Sequence, residues 1–165
     1  MRTVQVKEER MSVVEAKIKE LGITLPEAPA PIATYVPGVR VGNLMFLSGV
    51  GPIAGEGGRV YAGKVGKDLT QEEGYVAARL TGINLLARIK GELGDLDKLK
   101  RIVKLLSMVN CVPGFNQMPA VANGCSDLMV EVFGEKGRHA RSAVGMNSLP
   151  NDIPVEIEMI IEVED

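Results

Sequence analysis

One hundred and sixty-five residues, 45% of them hydrophobic and 24% charged, describe one ordinary globular domain with enough apolar mass to bury a core. Nineteen Lys and Arg against twenty-one Asp and Glu leave a net charge of -2, so no positive excess draws the chain to phosphate backbones or anionic membranes. One His, two Cys and no Trp fall short of the usual zinc ligand sets, a disulfide framework and an aromatic base-stacking platform. No metal and no cofactor is expected. No run reaches transmembrane length, and the opening MRTVQVKEER lacks the apolar stretch of a secretory signal, so the cytoplasm is the expected compartment.

Ser12 and Glu15 stand at capping-box spacing, Val14, Ile18 and Leu21 make a helical stripe, and Gly22 suits a stop, which predicts a helix over about 12–21. The proline-rich TLPEAPAPIA then reads as an extended arm. Residues 1–30 are accordingly an N-terminal extension and 31–165 the main domain. TYVPGVRV and LMFLSGV, separated by Gly42 and Asn43, predict a hairpin; GPIAGEGG is a loop and RVYAG a third strand. Thr70 and Glu73 open a long helix that keeps one apolar face from Val76 to Leu93 and stops at Gly94. Lys98 to Cys111 suits helix or strand, with a buried strand the better fit for its later half. A second long helix follows over about 119–133, then two strands, RSAVGMNSL and PVEIEMIIEVE. The last alternates cleanly, Val155, Ile157, Met159, Ile161 and Val163 on one face and glutamates on the other. The fold class is α+β, two long helices packed on a mostly antiparallel sheet.

The glycine run from Gly49 to Gly58 has no Gly-Lys-Ser/Thr ending and precedes no helix, so it reads as a turn rather than a phosphate loop. Ser48 and His139 lack a nucleophile elbow, and Cys111 and Cys125 lie on apolar stretches that suit core packing. Arg141 and Glu156 flank a turn at Leu149 and Pro150 that allows their strands to pair as a hairpin, which could bring the two side chains to the same cleft. An arginine grips a carboxylate in two places and a glutamate orients or deprotonates water. From pattern alone a surface ion pair of small energetic effect is the leading reading of the same two residues.

The segment RHARSAVGMNSLPNDIPVEIEMIIEV resembles the C-terminal signature of the Rid family (YjgF-like proteins, also called L-PSP endoribonucleases), in which an Arg-Ser pair leads through Leu-Pro to a Val-Glu-Ile-Glu strand. YVPGVRVGNLMFLSG is similar to the family's N-terminal hairpin, and the likeness spans roughly residues 31–163. It implies a chorismate-mutase-like subunit in a homotrimeric barrel, with clefts between subunits. It also implies a metal-free enamine/imine deaminase that hydrolyses a reactive 2-imino acid to a 2-keto acid and ammonia. In that scheme Arg141 binds the substrate carboxylate and Glu156 positions the attacking water. Tyr35, Ser48, Gly49, Asn123 and Ala143 line the substrate cleft. The implied partners are a small carboxylate-bearing metabolite and further copies of the chain; no membrane partner is expected, and the net charge and scarce aromatics argue against nucleic acid. Ala143 stands where many members carry Cys, Gly145 where Glu is common and Val50 where Gln is usual, which marks a longer, divergent branch. A non-catalytic receptor for a small carboxylate metabolite, and an endoribonuclease or translation inhibitor, are the alternatives.

Overall fold

The computed structural model describes residues 12–28, 34–55 and 57–164; residues 29–33 of the proline-rich arm and the first eleven residues lie outside that range. Helix α1 (Val13–Glu20) starts at Ser12, whose hydroxyl accepts from the Glu15 N–H at 3.3 Å. The Glu15 carboxylate turns away from its own helix to Lys90, 2.9 Å away. Asp97 from the core completes the cap, accepting from the Ser12 hydroxyl at 2.7 Å and from the Val13 and Val14 N–H groups at 2.9 Å each. The short helix is thereby fastened to the domain, and Ile18 joins the main core.

Strands β1 (Gly38–Val41) and β2 (Leu44–Val50) form the expected hairpin, with Gly42 at φ 59° in its two-residue loop. Helix α2 (Gln71–Leu93) carries the full Thr70/Glu73 capping box and ends where Gly94 takes φ 74°. Strand β3 (Leu99–Asn110) occupies all but the two end residues of the ambiguous stretch, helix α3 (Met118–Phe133) follows, and β4 (Ala140–Met146) and β5 (Val155–Val163) close the chain. Among the described residues no helix is long and apolar enough to cross a membrane.

Three helices pack on a five-stranded mixed sheet of order β1-β2-β5-β3-β4. Two sequence expectations need correction. RVYAG is not a strand: Tyr61 is buried with Leu69 and Ala77 against α2, and Arg59 stacks over the Tyr61 ring at 4.8 Å and pairs with Glu73. The segment thus wraps the helix instead of extending the sheet. Nor do β4 and β5 form a hairpin. β4 pairs parallel with β3 through the α3 crossover, while β5 lies antiparallel between β2 and β3. Burial explains the choice, because the apolar side of β5, from Val155 to Val163, is at most 1% exposed and needs a central position under the helices. The return is held by Asn110, whose amide donates to Asp152 Oδ1 and to the Ile153 carbonyl.

Helices α2 and α3 touch backbone to backbone at Gly124. A Cβ there would collide with the Tyr75 carbonyl oxygen and sit 2.9 Å from the Arg79 nitrogen, neither of which can rotate aside. Gly124→Ala is therefore expected to destabilise the fold by about 1–3 kcal/mol, read as a lower midpoint in urea with an unchanged slope.

Candidate active site

The opposite sides of the sheet carry different chemistry. Leu105, Met159 and Ile161 point to the helices and are fully buried or nearly so. Arg141 pairs in register with Leu105 and so lies on the helix side of the edge strand β4. There its Nη1 donates to Asn123 Oδ1 at 2.8 Å and to Ser126 Oγ at 2.9 Å, both from α3. With both Nη1 hydrogens engaged, Nη2 and Nε form a free planar fork among the described residues, the edge that grips a carboxylate in two places.

His139 extends this network. Its Nδ1 lies 2.6 Å from the Gly137 carbonyl and so carries the proton, which leaves Nε2 to accept from the Ser126 hydroxyl at 2.9 Å. Burial lowers the His139 pKa and nearby Arg141 lowers it further, against the Gly137 hydrogen bond, so the ring stays neutral. The Ser126 oxygen is then free to accept from Arg141. Ala143 lies two residues along the same side of β4 and opposite Ser107 of β3. At Gly145 the space that a side chain would need is taken by Cys111 Sγ, 2.9 Å from where a Cβ would stand.

Glu156 belongs to the other side of the sheet by the alternation of β5. It is half-buried in a cleft of about 550 Å³ whose walls include Tyr35, Gly49, Ile53, Tyr61, Arg88 and Asn151. Burial raises its pKa and the neighbouring Glu158 raises it further. Among the described residues the carboxylate accepts no hydrogen bond and pairs with no cation, so it is available to water. It lies directly over Gly49, at the register irregularity of β2 against β5. A Cβ on Gly49 would overlap Glu156 Oε1 and approach its carboxyl carbon to 3.0 Å. Gly49→Ala has a cheap structural remedy, since the carboxylate can swing aside, but a displaced base loses its water. The expected result is a fold within about 1 kcal/mol of wild type and a kcat/KM for the reaction argued below lowered about 10–100-fold.

The candidate residues thus fall into two groups. Tyr35, Gly49 and Glu156 line one cleft, with Ser48 at its bulge, where the hydroxyl donates to the Val36 carbonyl at 2.7 Å. Arg141, Asn123 and Ala143 form the other, and β3 separates the two strands that carry Arg141 and Glu156. The β4–β5 hairpin that could have brought both to one cleft of the same chain does not form. Ser48 and His139 are not partners either. Cys125 is fully buried, and burial pushes its thiol up to about 12, against a small opposing effect of Arg141; Cys111 is buried as well. Core packing accounts for both cysteines, as expected. Val50 is 3% exposed and faces the core, which explains an aliphatic residue there.

Sequence reasoning missed three residues: Ser126 and His139, which orient Arg141, and Arg88, which is 4% exposed in the wall of the Glu156 cleft. The first had a visible signal, since Asn123 and Ser126 share one face of α3 at i, i+3 spacing. For Arg88 the signal was Asn84 and Arg88 at i, i+4, polar residues interrupting the apolar run Leu85, Leu86, Ala87 and Ile89.

Comparison with known proteins identifies the family and the fold. The model of the YjgF/chorismate mutase-like endoribonuclease family matches residues 15–159. Protein TCP17 of Trypanosoma cruzi is 44% identical over 151 residues, covering 91% of this chain and 94% of that protein. A 2-iminobutanoate/2-iminopropanoate deaminase of Dermatophagoides farinae is 30% identical over 142 residues, covering 86% and 95%. The crystal structure of Atu1372 from Agrobacterium tumefaciens superposes with a TM-score of 0.84 at 45% identity, covering 92% of each chain. From the hairpin through the Arg141 and Glu156 strands, the chain belongs to the YjgF/chorismate mutase-like family, the Rid family of the C-terminal signature.

Proposed function

We propose that this protein is an enamine/imine deaminase, converting a 2-imino acid and water to a 2-keto acid and ammonia. The observation that carries the reading is the Glu156 carboxylate, unpaired and raised in pKa inside a cleft. An ordinary carboxylate is too weak a base to take a proton from water near neutral pH, and a raised pKa narrows that gap. Glu156 accepts a proton from water as the oxygen attacks the imine carbon, and returns a proton to the nitrogen. As the hydroxyl proton of the resulting carbinolamine passes to its nitrogen, the carbon–nitrogen bond breaks, releasing ammonia and leaving the keto oxygen. Arg141 holds the carboxylate next to the reacting carbon, and the Asn123, Ser126 and His139 network keeps the guanidinium fork aimed.

Because one chain separates Arg141 from Glu156, the site is proposed to form between copies, Arg141 of one facing the cleft of the next. The sheet face away from the helices supports this. Val39, Val41, Leu44 and Phe46 at one edge and Val144 and Met146 at the other are all exposed there, apolar side chains of the kind an interface covers. A cyclic homotrimer closed on that face uses one interface three times and leaves no edge of it uncovered.

The test is release of 2-oxobutanoate and ammonia when 2-iminobutanoate is generated in situ by an amino-acid oxidase. Turnover well above the spontaneous rate is expected, and its absence at every pH would overturn the reading. Binding of 2-oxobutanoate without hydrolysis would favour a metabolite-binding protein instead.

A further inference from the structure

Arg88 is a cation where the fold gives it almost nothing to hold. It projects from α2 into the wall of the Glu156 cleft and is 4% exposed. Its Nη1 donates to the Ser48 carbonyl at 3.3 Å, a long bond, and its Nε has no partner. No carboxylate among the described residues lies within ion-pair distance of it; Tyr35 and Glu92 act on it only through longer-range attraction. Burying a guanidinium with open donors is unfavourable, and the usual compensation is an anion that reaches the same donors. The cleft is apolar around it, with Ile53, Ala54 and Val60 on its walls, and its volume of about 550 Å³ exceeds what a compact imino acid such as 2-iminobutanoate occupies. A longer substrate therefore has both room and a charge to reach.

We propose that Arg88 is a second carboxylate anchor, so that the site takes dicarboxylic imino acids of the 2-iminoglutarate class. The inference rests on the deaminase reading, in which Arg141 already holds the carboxylate beside the reacting carbon. Arg88 holds the distal carboxylate, and the intervening methylenes lie along the apolar walls. A clamp on the Ser48 carbonyl is the competing role, and it makes no distinction between ligands.

Isothermal titration of the full chain with 2-oxoglutarate and with 2-oxobutanoate, the two keto acid products, separates these roles. Wild type is expected to bind 2-oxoglutarate at least about tenfold more tightly, Arg88→Met to erase that preference, and Arg88→Lys to keep part of it. Equal affinities in wild type, or equal losses for both ligands in Arg88→Met, would overturn the inference. If Arg88→Met fails to fold, wild type and Arg88→Lys decide it. Hydrolysis of 2-iminobutanoate and 2-iminoglutarate, followed separately, keeps the two claims apart. A preference for 2-oxoglutarate with neither imine hydrolysed removes the deaminase and retains the anchor. Hydrolysis of 2-iminobutanoate with no preference removes only the anchor.

Discussion

Glu156→Gln lowers kcat for imine hydrolysis by about 10²–10⁴-fold while leaving KM near its wild-type value, because the amide can hold a water but cannot take its proton. The substitution nearly preserves shape, so the loss reports on chemistry. A pH profile adds a second reading. Burial first and Glu158 second raise the Glu156 pKa, so the acid limb of kcat/KM stands above the ordinary carboxylate range. Glu158→Gln removes the like charge and moves that limb down. The stability consequence has a definite sign. A carboxyl whose folded pKa is raised favours the native state below its unfolded value of about 4.3, and that contribution is lost as pH rises through the folded pKa. At neutral pH the ionised Glu156 weakens the fold, so Glu156→Gln is expected to melt no lower than wild type while losing most of its activity.

Arg141→Ala has the other large effect, and it falls mainly on KM. Losing a two-point grip removes two charge-assisted hydrogen bonds, at ~1.5–3 kcal/mol each, and lowers kcat/KM by about 10²–10⁴-fold. Arg141→Lys restores the charge without the planar fork and recovers only part of the loss. Ser126→Ala, which touches no substrate, should loosen the same fork, and a rise in KM with kcat nearly kept distinguishes that orienting role from a chemical one.

Local signals in the sequence carried much of this structure. The Thr70/Glu73 box, the Gly42-Asn43 turn and the alternation of β5 each depend on residues a few positions apart, and each appears where its pattern stands. What failed was decided by distant partners. The Leu149-Pro150 segment has the composition of a hairpin turn, yet the apolar side of β5 gains more burial between β2 and β3 than beside β4 at the edge. RVYAG has strand-like residues, but Tyr61 finds its burial against Leu69 and Ala77. Asn84 and Arg88 interrupt an apolar run in sequence, but what buries Arg88 is the seating of α2 against the β2 bulge, which only the fold shows. The same limit applies to the site: the signature named Arg141 and Glu156 together, while the topology sends them to different faces of one sheet.

That separation makes the central claim directly testable by mixing two defective chains. Assayed well below the wild-type KM, Arg141→Ala and Glu156→Gln are each expected to keep about 1% of the activity or less and to assemble normally. Co-expressed in equal amounts, they should regain about a quarter of wild-type imine hydrolysis, the fraction of interfaces pairing an intact Arg141 with an intact Glu156. Mixed assemblies that stay as inactive as either parent would contradict a site shared between copies.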